Sequence, residues 1–106
     1  MNNNEILKNL ANVKNMFLYF VEKGDDLKSI ADRFNTTQSV LIAINNLDGE
    51  VKYGQYILIE KLDGEEYVVM PGDTFEQIAH NDIELAKKLK SKNKTDCLYV
   101  GQKIYI

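Results

Sequence analysis

The chain writes one phrase twice. Residues 19–27 read YFVEKGDDL and residues 67–75 read YVVMPGDTF, 48 positions apart in a chain of 106 residues. Sliding the sequence on itself by 48 pairs Tyr19 with Tyr67, Val21 with Val69, Gly24 with Gly72 and Asp25 with Asp73. The same offset pairs Ile30 and Ala31 with Ile78 and Ala79, Leu41 with Leu89, and Asn45 with Asn93, giving eight identities in 27 positions. After a one-residue deletion, GQYILI (54–59) aligns with GQKIYI (101–106), four identities in six. The identities fall on residue types that constrain backbone and packing, which is the signature of a duplicated structural unit. A chain of this length must then hold two very small units rather than one ordinary domain.

Each copy reads as strand, helix, helix, strand. Tyr19–Val21 and Tyr67–Val69 are short and β-rich, and YILI at 56–59 is the matching closing strand. Gly-Asp marks a turn after the first strand. Thr74 and Gln77 have the spacing of a capping box, and Asp26 is placed to cap the equivalent helix. Leu27, Ile30, Ala31 and Phe34 recur at helical spacing. Thr36 and Thr37 offer a second cap before VLIAI, and Asn45-Asn46 ends that helix. With no other partner inside a unit, its two strands must pair antiparallel. The expected fold is α+β: two small βααβ units in tandem, preceded by a helix. The boundaries are 1–18 for an N-terminal amphipathic segment, 19–60 for the first repeat, 61–66 for a linker and 67–106 for a degenerate second repeat.

The remaining composition narrows the chemistry. One cysteine, Cys97, allows no internal disulfide, so the fold needs no oxidising compartment. Cys97 is expected as a partly buried structural thiol, since Asp96 beside it disfavours a thiolate. His80 is the one histidine; it is expected at the end of the helix TFEQIAH, where a cation suits the helix dipole. Metal, cofactor and nucleophile–histidine chemistry therefore have almost nothing to draw on. Adjacent carboxylates such as Asp25-Asp26 and Glu65-Glu66 do not make the flanking pair that glycoside hydrolysis requires. The expectation is a protein that is not an enzyme. A formal net charge of −3 gives no reason to expect nucleic-acid binding. No apolar run approaches a membrane span, and the N-terminus, broken by Glu5, Lys8 and Lys14, has no recognisable signal peptide.

The combined pattern Y-x-V-x-x-G-D-[TD]-[LF]-x-x-I-A, an apolar helix ending in Asn-Asn-Leu, then G-Q-x-I-x-I, resembles the LysM domain in both copies. The resemblance implies binding of glycans built from N-acetylglucosamine, peptidoglycan or chitin-type chains, in a shallow groove between two loops. Carried onto this sequence, the loop from first strand to first helix gives Gly24, Asp25, Asp26 and Leu27, and the loop from second helix to second strand gives Asn46, Leu47 and Asp48. In the second copy the positions are Gly72, Asp73, Thr74 and Phe75 with Lys94, Thr95 and Asp96. Helix N-termini leave backbone N–H groups for an acetamide or hydroxyl, the glycines permit close approach, and Leu27, Leu47 and Phe75 would offer apolar surface, unless they are core. Neither copy keeps the full pattern. Asp26 stands where the family usually has Thr, and the second copy reads N-K-T-D in place of Asn-Asn-Leu. The second copy also has Asp82 where the first has Phe34, so its second helix is expected to start early with Asp82 as its cap.

The second helices differ most: Val40, Ile42 and Ile44 align with Lys88, Lys90 and Lys92. A helix apolar all round is covered on more than one side. Ile6, Leu10, Val13 and Phe17 form a helical stripe, so segment 1–18 is expected to dock on helix 37–45; the rivals are the second copy or another chain. Val40, Ile42, Ile44 and the N-terminal segment are thus a candidate surface for a protein partner or self-association. The run KKLKSKNK (87–94) reads as a solvated helix face, with an anionic polymer as the functional alternative. Two functions compete: a glycan-binding module associated with cell wall or spore, and a LysM-fold scaffold or interaction protein in a spore-layer or phage-type assembly with little glycan affinity.

Overall fold

The computed structural model describes residues 15–106. The first unit runs β1 (Met16–Phe20), α1 (Leu27–Arg33), α2 (Gln38–Asn45) and β2 (Tyr56–Glu60); the second runs β3 (Glu66–Val68), α3 (Phe75–Ile78), α4 (Ile83–Asn93) and β4 (Lys103–Tyr105). Each unit closes its own two-stranded antiparallel sheet, β1 on β2 and β3 on β4. Tyr19 pairs with Ile57 and Tyr67 with Ile104, so the duplicated residues sit in the same register.

The strand β1 takes in Met16–Leu18, the end of the segment expected to be helical, while residues 1–14 of that segment lie outside the described residues. Met16, Phe17 and Leu18 pair with Glu60, Ile59 and Leu58. These residues satisfy their backbone groups across the sheet, and Phe17 packs edge-on to Phe34 at 5.2 Å. The expected docking of the stripe Ile6, Leu10 and Val13 on helix 37–45 lies outside the described residues.

Each unit has its own apolar core. Val21, Leu27, Ile30, Ala31, Leu41, Ile57 and Ile59 are buried together in the first. Val69, Phe75, Ala79, Ala86, Leu89 and Ile104 form the second. The helix starts follow the caps read from sequence: Asp26, Thr37, Thr74 and Asp82 each accept a hydrogen bond from the backbone N–H three residues on. The reciprocal capping box occurs at Asp26 and Ser29, whereas Thr74 and Gln77 make only its forward half. Phe34 packs in the first unit, but the aligned Asp82 caps α4, so the preceding α3 stops after four residues. His80 therefore lies beyond the end of α3, at φ 55°, and not in its last turn as expected.

The segment between the copies is held to both. Leu62 N–H donates to the carbonyl of Asn35 (2.8 Å), and Glu65 exchanges two backbone hydrogen bonds with Ile106 (3.1 and 2.9 Å). At Gly64, with φ +102°, a Cβ would fall 2.1 Å from the Ile106 carbonyl oxygen. Only glycine fits that approach.

The units also touch directly. Ser39 Oγ donates to the Asn93 carbonyl at 2.7 Å. Lys103 Nζ lies 2.7 Å from Asp32 and 3.9 Å from Glu66. Val40 is fully buried, and Ile42 packs on the first core while facing the second unit across a cleft. Val40 is therefore not a surface for another chain. The apolar character of α2 is absorbed in large part within this protein.

Candidate functional site

In each unit the turn after the first strand is locked by one carboxylate. Asp25 Oδ2 accepts from the Tyr19 hydroxyl (2.6 Å) and from the Glu22 N–H (2.9 Å). Asp73 Oδ2 accepts from the Tyr67 hydroxyl (2.6 Å) and the Met70 N–H (2.7 Å). The turns 22–25 and 70–73 place Gly24 and Gly72 third, at φ +91° and +86°, with Pro71 second in the later one. That arrangement requires glycine at the left-handed position and suits proline before it. A Cβ on either glycine would meet nothing within 4 Å, so the glycines serve the turn and not a close contact inside the chain.

Arg33 strengthens the lock in the first unit alone. Its guanidinium donates to Asp25 Oδ1 (2.8 Å) and to the Tyr19 hydroxyl (2.9 Å), and lies over the Tyr19 and Phe34 rings. The Tyr19 hydrogen bond, the Glu22 N–H and Arg33 hold the Asp25 carboxyl down at about 2. Asp73 is lowered too, by Tyr67 first and then by the Met70 N–H. Position 81, which aligns with Arg33, is Asn. The aspartates are thus committed inward and hold the loop rather than offering a free carboxylate.

A second lock fixes the facing loop. The Asn45 side chain donates to the carbonyls of Leu41 and Leu58 and accepts from Leu58 N–H (2.7 Å). Asn93 does the same with Leu89 and Tyr105, accepting from Tyr105 N–H at 2.8 Å. The amide side chain acts as a short extra strand that ties the second helix to the closing strand. Asn46 and Lys94 follow at φ 53° and 52°, reversing the chain into the loop.

The loop residues expected to contact ligand divide into three groups. Leu27 and Phe75 are 4% and 2% exposed and belong to the two cores; this corrects their role as contact surface. Their helical phase places them with Ile30 or Ala79 on the inward stripe. Asp25 and Asp73 are the locks. Gly24, Asp26, Asn46 and Asp48 in the first unit, and Gly72, Thr74, Lys94 and Asp96 in the second, are exposed, while Leu47 and Thr95 are half-buried. Leu47 packs against the core that contains Leu27. Sequence reasoning missed Tyr19, Tyr67 and Arg33 as loop-positioning residues. The shared Tyr-x5-Asp spacing in both copies was the available signal.

The thiol of Cys97 is exposed, not partly buried. It sits 3.4 Å from Asp96 Oδ1, which holds its pKa up. On the outer face of the first sheet, Phe20 meets Tyr53 at 6.1 Å and Tyr56 at 5.2 Å, all three rings exposed. Among the described residues no helix is long and apolar enough to cross a membrane.

A family model for the LysM domain matches residues 19–59 and 67–106. Over 78 residues the chain is 32% identical to an endolysin of Bacillus phage PZA, a match that spans 71% of this chain and 30% of the phage protein. Among solved structures, the chain is similar to the spore cortex-lytic enzyme SleL of Bacillus cereus, at 26% identity and a TM-score of 0.43, covering 87% of this chain and 22% of that one. The corresponding figures for SleL of Bacillus megaterium QM B1551 are 26%, 0.42, 87% and 22%.

Proposed function

The chain belongs to the LysM family in both of its repeats, and from that premise we propose that it is a non-catalytic module binding glycans that contain N-acetylglucosamine, peptidoglycan or chitin-type chains. The sugar would lie between the β1–α1 and α2–β2 loops of the first unit, against Gly24, Asp26, Asn46, Leu47 and Asp48. In the second unit it would lie against Gly72, Thr74, Lys94, Thr95 and Asp96. Through such binding the protein would be held at a cell wall or spore.

The observation that carries this reading is the double lock. Tyr19–Asp25 with Asn45–Leu58, and Tyr67–Asp73 with Asn93–Tyr105, hold two loops in place in each unit. Rigid loops lose little conformational freedom on binding, which favours weak, repeated contacts with a polymer. Tandem sites then add avidity if their spacing suits the chain. The test is an amide NMR titration with oligomers of N-acetylglucosamine and with peptidoglycan fragments. Shifts at 24–27 with 46–48, or at 72–75 with 94–96, are the expected result; unmoved loops at millimolar sugar would refute it.

A second reading, a scaffold or interaction protein of LysM fold with little glycan affinity, is favoured by the exposed rings of Phe20, Tyr53 and Tyr56. Sedimentation separates the two. A specific oligomer supports the scaffold, and a monomer that pellets with purified wall supports the glycan module.

A further inference from the structure

A cleft of about 400 Å³ lies between the two units, and of the residues expected from sequence to contact ligand only Thr95 lines it. One wall comes from α1 and α2 of the first unit, with Lys28, Asp32, Gln38 and Ile42; the other comes from the second unit, with Tyr99 and Lys103. The size is that of a small-molecule site. Neither unit alone makes it.

The polar groups in this cleft are paired but not closed off. Lys28 and Lys103 contact the Asp32 carboxylate at 2.9 and 2.7 Å, and Glu66 lies 3.9 Å from Lys103. Of the charges that line the cleft, two ammonium groups share the one carboxylate of Asp32, and Glu66, which lies outside the lining, offsets the second, so little net charge is left to draw a polyanion. The side chains of Lys28 and Asp32 are still 74% and 47% exposed, so a donor and an acceptor face the cleft side by side, as neighbouring hydroxyls require. Gln38 is half-buried and lines the cleft. An amide in that position complements an acetamido group, donating to its carbonyl and accepting from its N–H. Ile42, on the next turn of the same helix, offers apolar contact for the acetyl methyl. Tyr99, 61% exposed on the opposite wall, presents a ring to the C–H face of a pyranose.

We propose that this cleft binds a neutral N-acetylated hexosamine unit, so that one glycan chain bridges the two repeats. The proposal rests on the glycan reading above. It gives the tandem a purpose that neither loop pair supplies: the packed units form a third binding position, and the chain gains its tightest grip on oligomers long enough to reach it.

The test uses the full chain with a dimer and a hexamer of N-acetylglucosamine, followed by amide NMR and by alkylation of Cys97. This is the single cysteine of the chain, and it is exposed and lines the cleft. The hexamer is expected to shift Gln38 and Ile42 together with Tyr99 and to slow the alkylation. Tyr99→Ala and Gln38→Ala, each checked for a dispersed amide spectrum, are expected to weaken hexamer binding about fivefold, the share of one well-placed contact. If the hexamer binds with shifts confined to the loop pairs, and both substitutions leave its affinity unchanged, the cleft is not a site and the loop reading stands alone. If the wild-type chain shows no shifts with any oligomer, both readings fall.

Discussion

Asn93 and Tyr105 are joined by two hydrogen bonds: the Asn93 amide donates to the Tyr105 carbonyl at 2.9 Å and accepts from its N–H at 2.8 Å. Asn45 makes the same pair with Leu58 in the first unit. An amide placed this way closes a sheet edge that the two-stranded ladder leaves open. It also explains why asparagine, a poor helix former, ends the second helix of both copies.

Asn93→Ala is expected to destabilise the protein by about 2–4 kcal/mol, because it strands backbone groups of Tyr105 and Leu89 in a buried place. Asn93 is fully buried whereas Asn45 is half-buried, so Asn45→Ala should cost less. Urea unfolding midpoints of the two variants give the comparison.

Glycine substitutions should separate steric from conformational cost. Gly64→Ala forces a Cβ against the Ile106 carbonyl and Lys92, whereas Gly24→Ala meets open space. Both sit at positive φ, which costs an alanine roughly 1–2 kcal/mol. Gly64→Ala is expected to lower the melting temperature well beyond Gly24→Ala. Equal losses would mean that the segment between the repeats gives way without cost.

Acid should weaken the first unit through Asp25. Its folded carboxyl, at about 2, lies below its ordinary 3.8, so its contribution to stability is complete above the ordinary value and is lost as pH falls from there towards 2. Asp25→Asn should flatten that part of the stability profile. Arg33→Gln should raise the Asp25 pKa by removing one of the groups that lower it. Following the Asp25 side-chain carboxyl by NMR between pH 1.5 and 5 reads both effects directly.

The two units are expected to tumble as one body. Ser39→Ala with Lys103→Ala removes the hydrogen bond to Asn93 and the pairing with Asp32. Each contact is modest, a hydrogen bond being worth about 1 kcal/mol and an exposed pair less. The loss should therefore appear in motion before stability: nitrogen-15 relaxation should give one correlation time for the wild-type chain and shorter, separate times in the double variant.

The sequence by itself determined the unit and its duplication. Gly24 and Gly72 and the caps Asp26, Thr37, Thr74 and Asp82 all follow from local chemistry, in which a turn needs a positive φ and a helix start needs an acceptor. Those demands are met within a few residues, so they are legible in one dimension. Part of the site was legible too. The duplication marked the identical Tyr, Asp and Asn positions but not their role as the locks that hold the loops, and the helical phase of Leu27 with Ile30 and Ala31 left open whether it was core or contact surface. Tertiary structure decided the rest. Met16–Leu18 became strand because Glu60, Ile59 and Leu58 were there to pair with them, and Val40 was buried by packing that no helical pattern specifies. The cleft between α1, α2 and the Tyr99 loop exists because Ser39 meets Asn93 and Asp32 meets Lys103, across 54 and 71 residues of chain. Contacts between residues so far apart leave no periodic trace in sequence, since each partner is chosen by where the whole chain has already placed it.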